Sequence, residues 1–324
     1  MRYGVFGAGH LGKIHLKCIQ ESEQLELVGF YDPDEQTARS VASSHGAKAY
    51  ASADELIADC DIIDIVTPTG SHFELACKAL SAGRHVFIEK PVTHTVEEAK
   101  ALIELRDRMN LSVQVGHVER FNPAFLALGQ REINPMFVEG HRLATFNPRG
   151  TDVSVVLDLM IHDLDILLTL VPSRVREISA NGVAVVSDTP DICNARITFD
   201  NGCVANLTAS RISLKQMRKM RIFQRDAYIS LDFLDRKASL LRLYHEHPGP
   251  DLPAMELETP KGNKWISMET PPMEPVNAIR MELETFAGSI RSSTPPPVTL
   301  EDGLGALQVA YQILDQIEKS ATYA

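Results

Sequence analysis

Along the first third of the chain, short apolar runs alternate with amphipathic stretches. Residues 3–6, 25–31, 47–50, 62–66, 85–88 and 112–115 have the length and the β-branched or aromatic content of strands. Helical spacing fills most of the intervals, which predicts a parallel sheet with helices on its faces. After the fourth run, Ser71-His72-Phe73-Glu74 has the spacing of a capping box, and Leu75, Ala76, Ala79 and Leu80 follow on one helical face.

From about residue 136 the pattern becomes β-rich. Residues 136–146, 175–186, 192–199, 203–212, 220–224, 227–233 and 239–244 read as strands. Asn201-Gly202 between two of them signals a type I′ hairpin, so this second sheet is at least partly antiparallel. One helix, 156 to about 170, interrupts it and ends before Pro172. Residues 248–275 hold seven prolines and the single Trp265, and predict an irregular surface excursion. Two helices close the chain, one with Ile279, Leu283, Phe286 and Ile290 at helical spacing, the other opening at Thr299-Leu300-Glu301-Asp302. The expected fold class is α/β, with a doubly wound domain over 1–118 and an α+β domain over 119–324, whose helix 300–319 can pack back on the first.

At 324 residues the chain is long enough for two cores, and its 44% hydrophobic and 23% charged content is that of an ordinary globular protein. A formal charge of −11, without a basic run, argues against a nucleic-acid partner. An anionic small molecule must therefore find a local positive pocket. The five cysteines are scattered, with no Cys-x-x-Cys, so neither a disulfide framework nor a metal site is expected, and a reducing cytoplasm is the simplest setting. No cleavable leader and no apolar stretch of about 18 residues is expected to anchor the chain to a membrane.

Three features carry chemistry. Gly7-Ala8-Gly9-His10-Leu11-Gly12 fits G-x-G-x-x-G between a strand and a helix. There Gly7 permits a tight turn, Gly9 lets a pyrophosphate approach the backbone, and Gly12 allows close helix packing. The helix N-terminus, with His10 and Leu11, attracts phosphate. Asp32, twenty residues past Gly12, stands where a carboxylate takes ribose hydroxyls. A 2′-phosphate about 4 Å away would meet roughly 1 to 4 kcal/mol of repulsion there. The first following arginine is Arg39, so NAD is favoured over NADP. Thr67-Pro68 closes the fourth run, beside the nicotinamide half of such a cofactor.

The second feature is Phe87-Ile88-Glu89-Lys90-Pro91, a lysine at the carboxyl end of an apolar strand, where open α/β sheets present their ligands. The third is the helix at 156–170, apolar nearly all round except for Asp158, His162, Asp165 and Thr169, which form one stripe. Oxidation of an alcohol needs a base for the hydroxyl proton, and the imidazole of His162 suits neutral pH. Asp158 would orient it or bind a neighbouring hydroxyl, and Lys90 would stabilise charge on the reacting oxygen.

Together these residues resemble the Gfo/Idh/MocA oxidoreductases, the family of glucose-fructose oxidoreductase and inositol dehydrogenase, from Gly4 to about Ile317. The family's glycine turn falls on Gly7, Gly9 and Gly12, its strand-end turn on Thr67-Pro68 with His72 beyond, and its Glu-Lys-Pro on Glu89-Lys90-Pro91. Its Asp-x-x-x-His falls on Asp158 and His162, and its closing helix on Glu301-Asp302-Gly303-Leu304. The resemblance implies a Rossmann domain, a second domain with a large open, mostly antiparallel sheet, a bound nicotinamide cofactor, and homodimers or homotetramers formed through the sheet face. It implies cofactor contacts from His72, Glu89 and Lys90 as well as the glycine turn. The segment 116–123, Gly-His-Val-Glu-Arg-Phe-Asn-Pro, is similar to members acting on the 3-hydroxyl of UDP-N-acetylglucosamine. His117, Arg120 and Arg149 are then expected at the substrate, the arginines on its pyrophosphate. A free sugar or inositol is the alternative substrate, and a non-catalytic dinucleotide sensor the alternative of another class.

Overall fold

The computed structural model describes residues 1–147 and 153–321. Its first elements are β1 (Arg2–Phe6), α1 (His10–Gln20), β2 (Glu26–Tyr31), α2 (Glu35–His45), α3 (Ala53–Asp59), β3 (Ile62–Ile65), α4 (His72–Ser81), β4 (His85–Glu89), α5 (Val96–Met109) and β5 (Val113–Gly116). They build a five-stranded sheet in the order β2-β1-β3-β4-β5, with every pairing parallel. The order reverses between β1 and β3, so the crevice at their carboxyl ends is the switch point where such sheets take ligands. Helices on the faces explain why β3, β4 and β5 are apolar runs rather than alternating ones, buried along almost their whole length.

The run at 47–50 does not become a sixth strand. Phe30 exchanges two backbone bonds with Lys48 and Tyr50, a single bridge, before Ser52 caps α3 and turns the chain away. Nor does Ser71 form a capping box. Residues Thr69–Ser71 make a 3₁₀ turn, and the Ser71 hydroxyl donates to Pro68 O (2.8 Å) and shares a hydrogen bond with the Thr67 hydroxyl (2.7 Å) instead of capping α4. A true capping box stands at Thr95 and Glu98, opening α5.

The next elements are α6 (Pro123–Leu126), β6 (Phe137–Leu143), a π-helical turn (Val156–Met160) running into α7 (Ile161–Leu170), and β7 (Val175–Val183), β8 (Ile192–Phe199), β9 (Val204–Ser210), β10 (Met217–Phe223), β11 (Ala227–Asp232), β12 (Lys237–Tyr244), β13 (Met255–Leu257) and β14 (Lys264–Glu269). They form a nine-stranded sheet, β13-β14-β12-β11-β10-β6-β9-β8-β7, antiparallel except between β6 and β9. Along β8 the inward Cys193, Ala195, Ile197 and Phe199 are buried and join the core under α7, while Asn194 and Arg196 face out. The proline-rich segment 248–275 is not wholly irregular. It carries β13 and β14, the latter paired with β12 through Tyr244–Trp265 and its neighbours. The prolines lie outside the paired residues, so they leave the ladder intact.

The hairpin at Asn201-Gly202 forms, with a different turn. Gly202 alone of that connection has positive φ (+88°), its N–H donates to Phe199 O, and the Asn201 side chain accepts from Cys203 N–H. A type I′ turn needs positive φ at both central residues.

The last helices are α8 (Ala278–Ser292) and α9 (Leu300–Ala321). Packing divides the chain into one unit of Met1–Phe121 with Asn277–Gln308 and another of Asn122–Val276 with Val309–Ala324. The second domain therefore does not run unbroken over 119–324. Leu283, Phe286 and Ala287 of α8 are buried with Tyr3, Phe30 and Phe87, which places α8 in the core of the first unit.

Candidate active site

In the first unit the glycine-rich turn has the tight backbone at Gly7 and the close packing at Gly12 that its spacing predicts. Gly7 has φ +93°, and a Cβ there would meet Val66 O at 2.8 Å. A Cβ on Gly12 would come within 2.0 Å of Gly7 O, so only hydrogen allows α1 to start this close to the strand. A Cβ on Gly9 would meet nothing within 4 Å, because this residue faces open space. Gly9 caps α1 with no side-chain bond, and the exposed His10 and half-buried Leu11 follow it. The first amides of α1 are thus available to a phosphate, with the helix dipole behind them. Asp32, just past β2, accepts the Ala8 N–H (2.8 Å) and the Asp34 N–H (3.0 Å). A carboxylate has about four acceptor positions, so capacity for ribose hydroxyls remains. Arg39 is ion-paired with Glu35. The turn, the helix start and the carboxylate fit a dinucleotide.

Past β3, half-buried Thr67 and exposed Pro68 form the rim of the same crevice. His72 sits beneath them, 1% exposed, with Nδ1 2.9 Å from Pro91 O and Nε2 2.9 Å from Thr67 O. One ring N–H donates to a backbone carbonyl and the other ring nitrogen packs against the second, so His72 ties the turn after β3 to the turn after β4. Lys90, half-buried, follows β4 with a cis bond to Pro91. Its N–H donates to Glu89 Oε2 (3.1 Å).

Glu89 is turned inward. It is 7% exposed, with Oε1 3.3 Å from Nε2 of the fully buried His15, whose Nδ1 lies 2.9 Å from Asp64 Oδ2. Glu282 of α8 completes this group: one of its carboxylate oxygens, a ring nitrogen of His15 and a carboxylate oxygen of Glu89 all lie within 4.8 Å of one another. Gly116 makes room for it, since a Cβ there would stand 2.8 Å from Glu89 Oε1. Glu89 thus holds the main chain of Lys90 from below. Burial by itself would lower the His15 pKa, but Asp64 and Glu89 together hold it well above the ordinary imidazole value. Burial, and then the charge of Glu89, push Glu282 well above the usual carboxylate range. The sequence offered no sign of this cluster, because its members lie on α1, β3, β4 and α8.

The segment 116–123 is mostly structural in this fold. His117 is 1% exposed, and Asn122 is buried with Nδ2 donating to Phe233 O. Arg120 Nη2 lies 3.4 Å from Asp302 Oδ1, so its charge is partly balanced inside the first unit. The closing-helix motif has the same character. Glu301 receives a two-pronged bond from Arg106 (2.9 and 2.7 Å), and Asp302 and Thr299 cap each other. A Cβ on Gly303 would meet Val115 at 2.8 Å. Arg149 lies outside the described residues.

In the second unit, Asp158 sits in the π-helical turn and His162 in the first turn of α7, both half-buried. Asp158 N–H donates to Ser154 O (2.9 Å). The stripe does not continue as one wet face: Asp165 is buried and Thr169, exposed, bonds back to Asp165 O. The π turn changes the angular step between Asp158 and the residues of α7 beyond it, and such turns recur at functional sites. Off the stripe, Asp163 makes a buried two-pronged pair with Arg142 of β6 (2.7 and 3.0 Å), which anchors α7 to the sheet. Breaking such a pair costs about 3–5 kcal/mol.

A parallel sheet with an open glycine turn at its switch point, a carboxylate after β2 and a lysine at the end of β4 define a dinucleotide-dependent oxidoreductase. Residues 1–117 match the family model for an oxidoreductase family with an NAD-binding Rossmann fold, and residues 136–230 match the GFO/IDH/MocA C-terminal domain. The chain belongs to this GFO/IDH/MocA family and is a dehydrogenase. It is 38% identical, over 98% of its length and 97% of the relative's, to UDP-N-acetylglucosamine 3-dehydrogenase of Acidithiobacillus ferrooxidans. A solved structure of that enzyme superposes with a TM-score of 0.89 at 36% identity, covering 98% of each chain. The scyllo-inositol 2-dehydrogenase (NAD(+)) of Bacillus subtilis is 27% identical over 95% of this chain and 92% of its own. No helix among the described residues is long and apolar enough to cross a membrane.

Proposed function

We propose that this protein oxidises a secondary hydroxyl of a UDP-sugar with NAD, most specifically the 3-hydroxyl of UDP-N-acetylglucosamine, in a cytoplasmic setting. The observation that carries this is the similarity to the Acidithiobacillus ferrooxidans enzyme along essentially the whole chain. Lys90, Asp158 and His162 support the catalytic part, since a sensor would need a pocket but not a proton acceptor. NAD rather than NADP is supported by Asp32 and by the pairing of Arg39 with Glu35.

When bound, the cofactor accepts the hydride. Its pyrophosphate is assigned to the turn of Gly7, Gly9 and Gly12 and the first amides of α1, and its ribose to Asp32. Thr67 and Pro68 are assigned to the nicotinamide side. His162 takes the proton from the substrate hydroxyl, Asp158 orients the imidazole, and Lys90 donates a hydrogen bond to the reacting oxygen as negative charge develops on it.

The test is NADH appearance, followed by near-ultraviolet absorbance, with NAD or NADP and a panel of UDP-sugars, free sugars and inositols. Oxidation of a UDP-sugar with NAD alone supports the proposal. Turnover of free inositols or sugars instead would replace the substrate, and silence across the panel with dinucleotide bound would favour a sensor.

A further inference from the structure

One group of buried ionisable side chains has no part in the chemistry above. His15 (α1), Asp64 (β3), Glu89 (β4) and Glu282 (α8) are each less than a tenth exposed and all lie in the first unit. The His15 ring lies between two carboxylates, hydrogen-bonded through Nδ1 to Asp64 and with Nε2 3.3 Å from Glu89 Oε1. Both Glu282 oxygens are buried without a hydrogen-bond partner, while Gln114 Nε2 on β5 donates to the Glu282 backbone carbonyl and fixes that residue against the sheet. Tyr3 on β1 is spent on Leu283 O. The other charged groups facing the cluster are Lys90, beside Glu89, and Arg291 on α8, which acts on Tyr3.

Three ionised carboxylates in this space would repel one another without solvent, a cost that proteins relieve by taking up protons. With the imidazole doubly protonated and Glu282 un-ionised, the charges of His15, Lys90, Asp64 and Glu89 cancel. We propose that His15, Asp64 and Glu282 are positioning residues for Lys90, forming a proton-holding cluster with Glu89 in which Glu282 is a neutral carboxylic acid and His15 an imidazolium. The link to Lys90 is Glu89, whose Oε1 faces His15 and whose Oε2 accepts the Lys90 N–H. The cluster thereby aims the lysine without touching substrate. This role rests on the assignment of Lys90 to the reacting oxygen; the protonation state of the cluster does not.

The pH dependence has a definite sign. Burial and neighbouring charge raise Glu282 above its unfolded value, so the stability it contributes is present at low pH and is lost as pH rises toward its folded value. Glu282→Gln, which keeps the shape and cannot ionise, removes that loss.

The test compares the full-length protein with Glu282→Gln, Glu282→Ala and His15→Ala. In infrared spectra near pH 7, the wild type shows the carbonyl stretch of an un-ionised carboxylic acid, and Glu282→Gln lacks it. The melting temperature of Glu282→Gln falls less steeply with rising pH than that of the wild type. In turnover, His15→Ala and Glu282→Ala lose roughly 10- to 100-fold in kcat, the scale of a misplaced catalytic group, with NADH affinity kept, and Glu282→Gln restores most of the loss. An absent carboxylic-acid band, or parallel melting curves for wild type and Glu282→Gln, overturns the cluster whatever the substrate proves to be. A stoichiometric divalent metal in the purified protein that Glu282→Gln removes also overturns it, in favour of a metal site. Unchanged kcat in His15→Ala overturns the positioning role alone. Full activity in Lys90→Ala would instead remove the function assigned to Lys90 and leave the infrared and melting results to decide the cluster.

Discussion

At the scale of single residues, the groups legible in the sequence were those whose chemistry is out of place locally. A lysine ending an apolar strand and a histidine on an apolar helix each conflict with their surroundings, and the conflict can be read without a structure. His162→Ala is expected to lower kcat by about 10²- to 10⁴-fold, the usual contribution of a positioned base, while NADH affinity measured by fluorescence titration stays near that of the wild type. Unaltered turnover would assign the proton to another group. His72 and Arg120 show the limit of such reading. Their residue types suit a cofactor and a pyrophosphate, yet the His72 ring lies between the backbone carbonyls of Thr67 and Pro91 and Arg120 meets Asp302. Which partner a polar side chain finds is a matter of which distant element comes beside it.

At the scale of elements, the tight turn at Gly7 and the close packing at Gly12 were legible, because strand, turn and helix are contiguous. Those roles predict a contrast between two conservative substitutions. Gly12→Ala drives a methyl into Gly7 O, 2.0 Å away, and is expected to cost at least 1–3 kcal/mol, the usual range for overpacking, as read by urea unfolding. Gly9→Ala meets open space, so its folding should be near normal while NADH affinity falls in titration. Equal stability of the two variants would contradict the packing described. The π-helical turn before α7 was not legible. A winding change of that kind depends on the elements packed around it, and the side-chain pattern of residues 156–170 gives no local cause for it.

At the scale of the whole molecule, both sheets were anticipated from strand spacing, but not the return of α8 to the first unit. Its apolar residues at helical spacing say that one face is buried, and say nothing of against what. Phe286 is fully buried, with its ring centroid 6.3 Å from that of Phe87. Phe286→Ala should therefore destabilise the protein by about 3–5 kcal/mol, with the dinucleotide-binding unit failing first in hydrogen exchange. Protection lost first in the nine-stranded sheet would contradict that assignment. Residues such as Met268 (73% exposed) and Leu241 (37%) lie on the open face of the large sheet. An assembly of two or four copies through such a face is the proposal carried from the family resemblance, and a monomer in light scattering at working concentration would exclude it.

The class of fold and the packing of the glycine turn could be read from the chain alone, and Asp32, Lys90 and His162 are proposed from it as the groups that serve hydride transfer. Each of these is written in contiguous residues, where spacing and local propensity act directly. The folded molecule alone brings together His15, Asp64, Glu89 and Glu282 under Lys90, sets the neighbours of His72 and Arg120, and places α8 in the first unit. Those depend on elements brought together from opposite ends of the chain, and burial, which sets the cost of a charge, exists only once they meet.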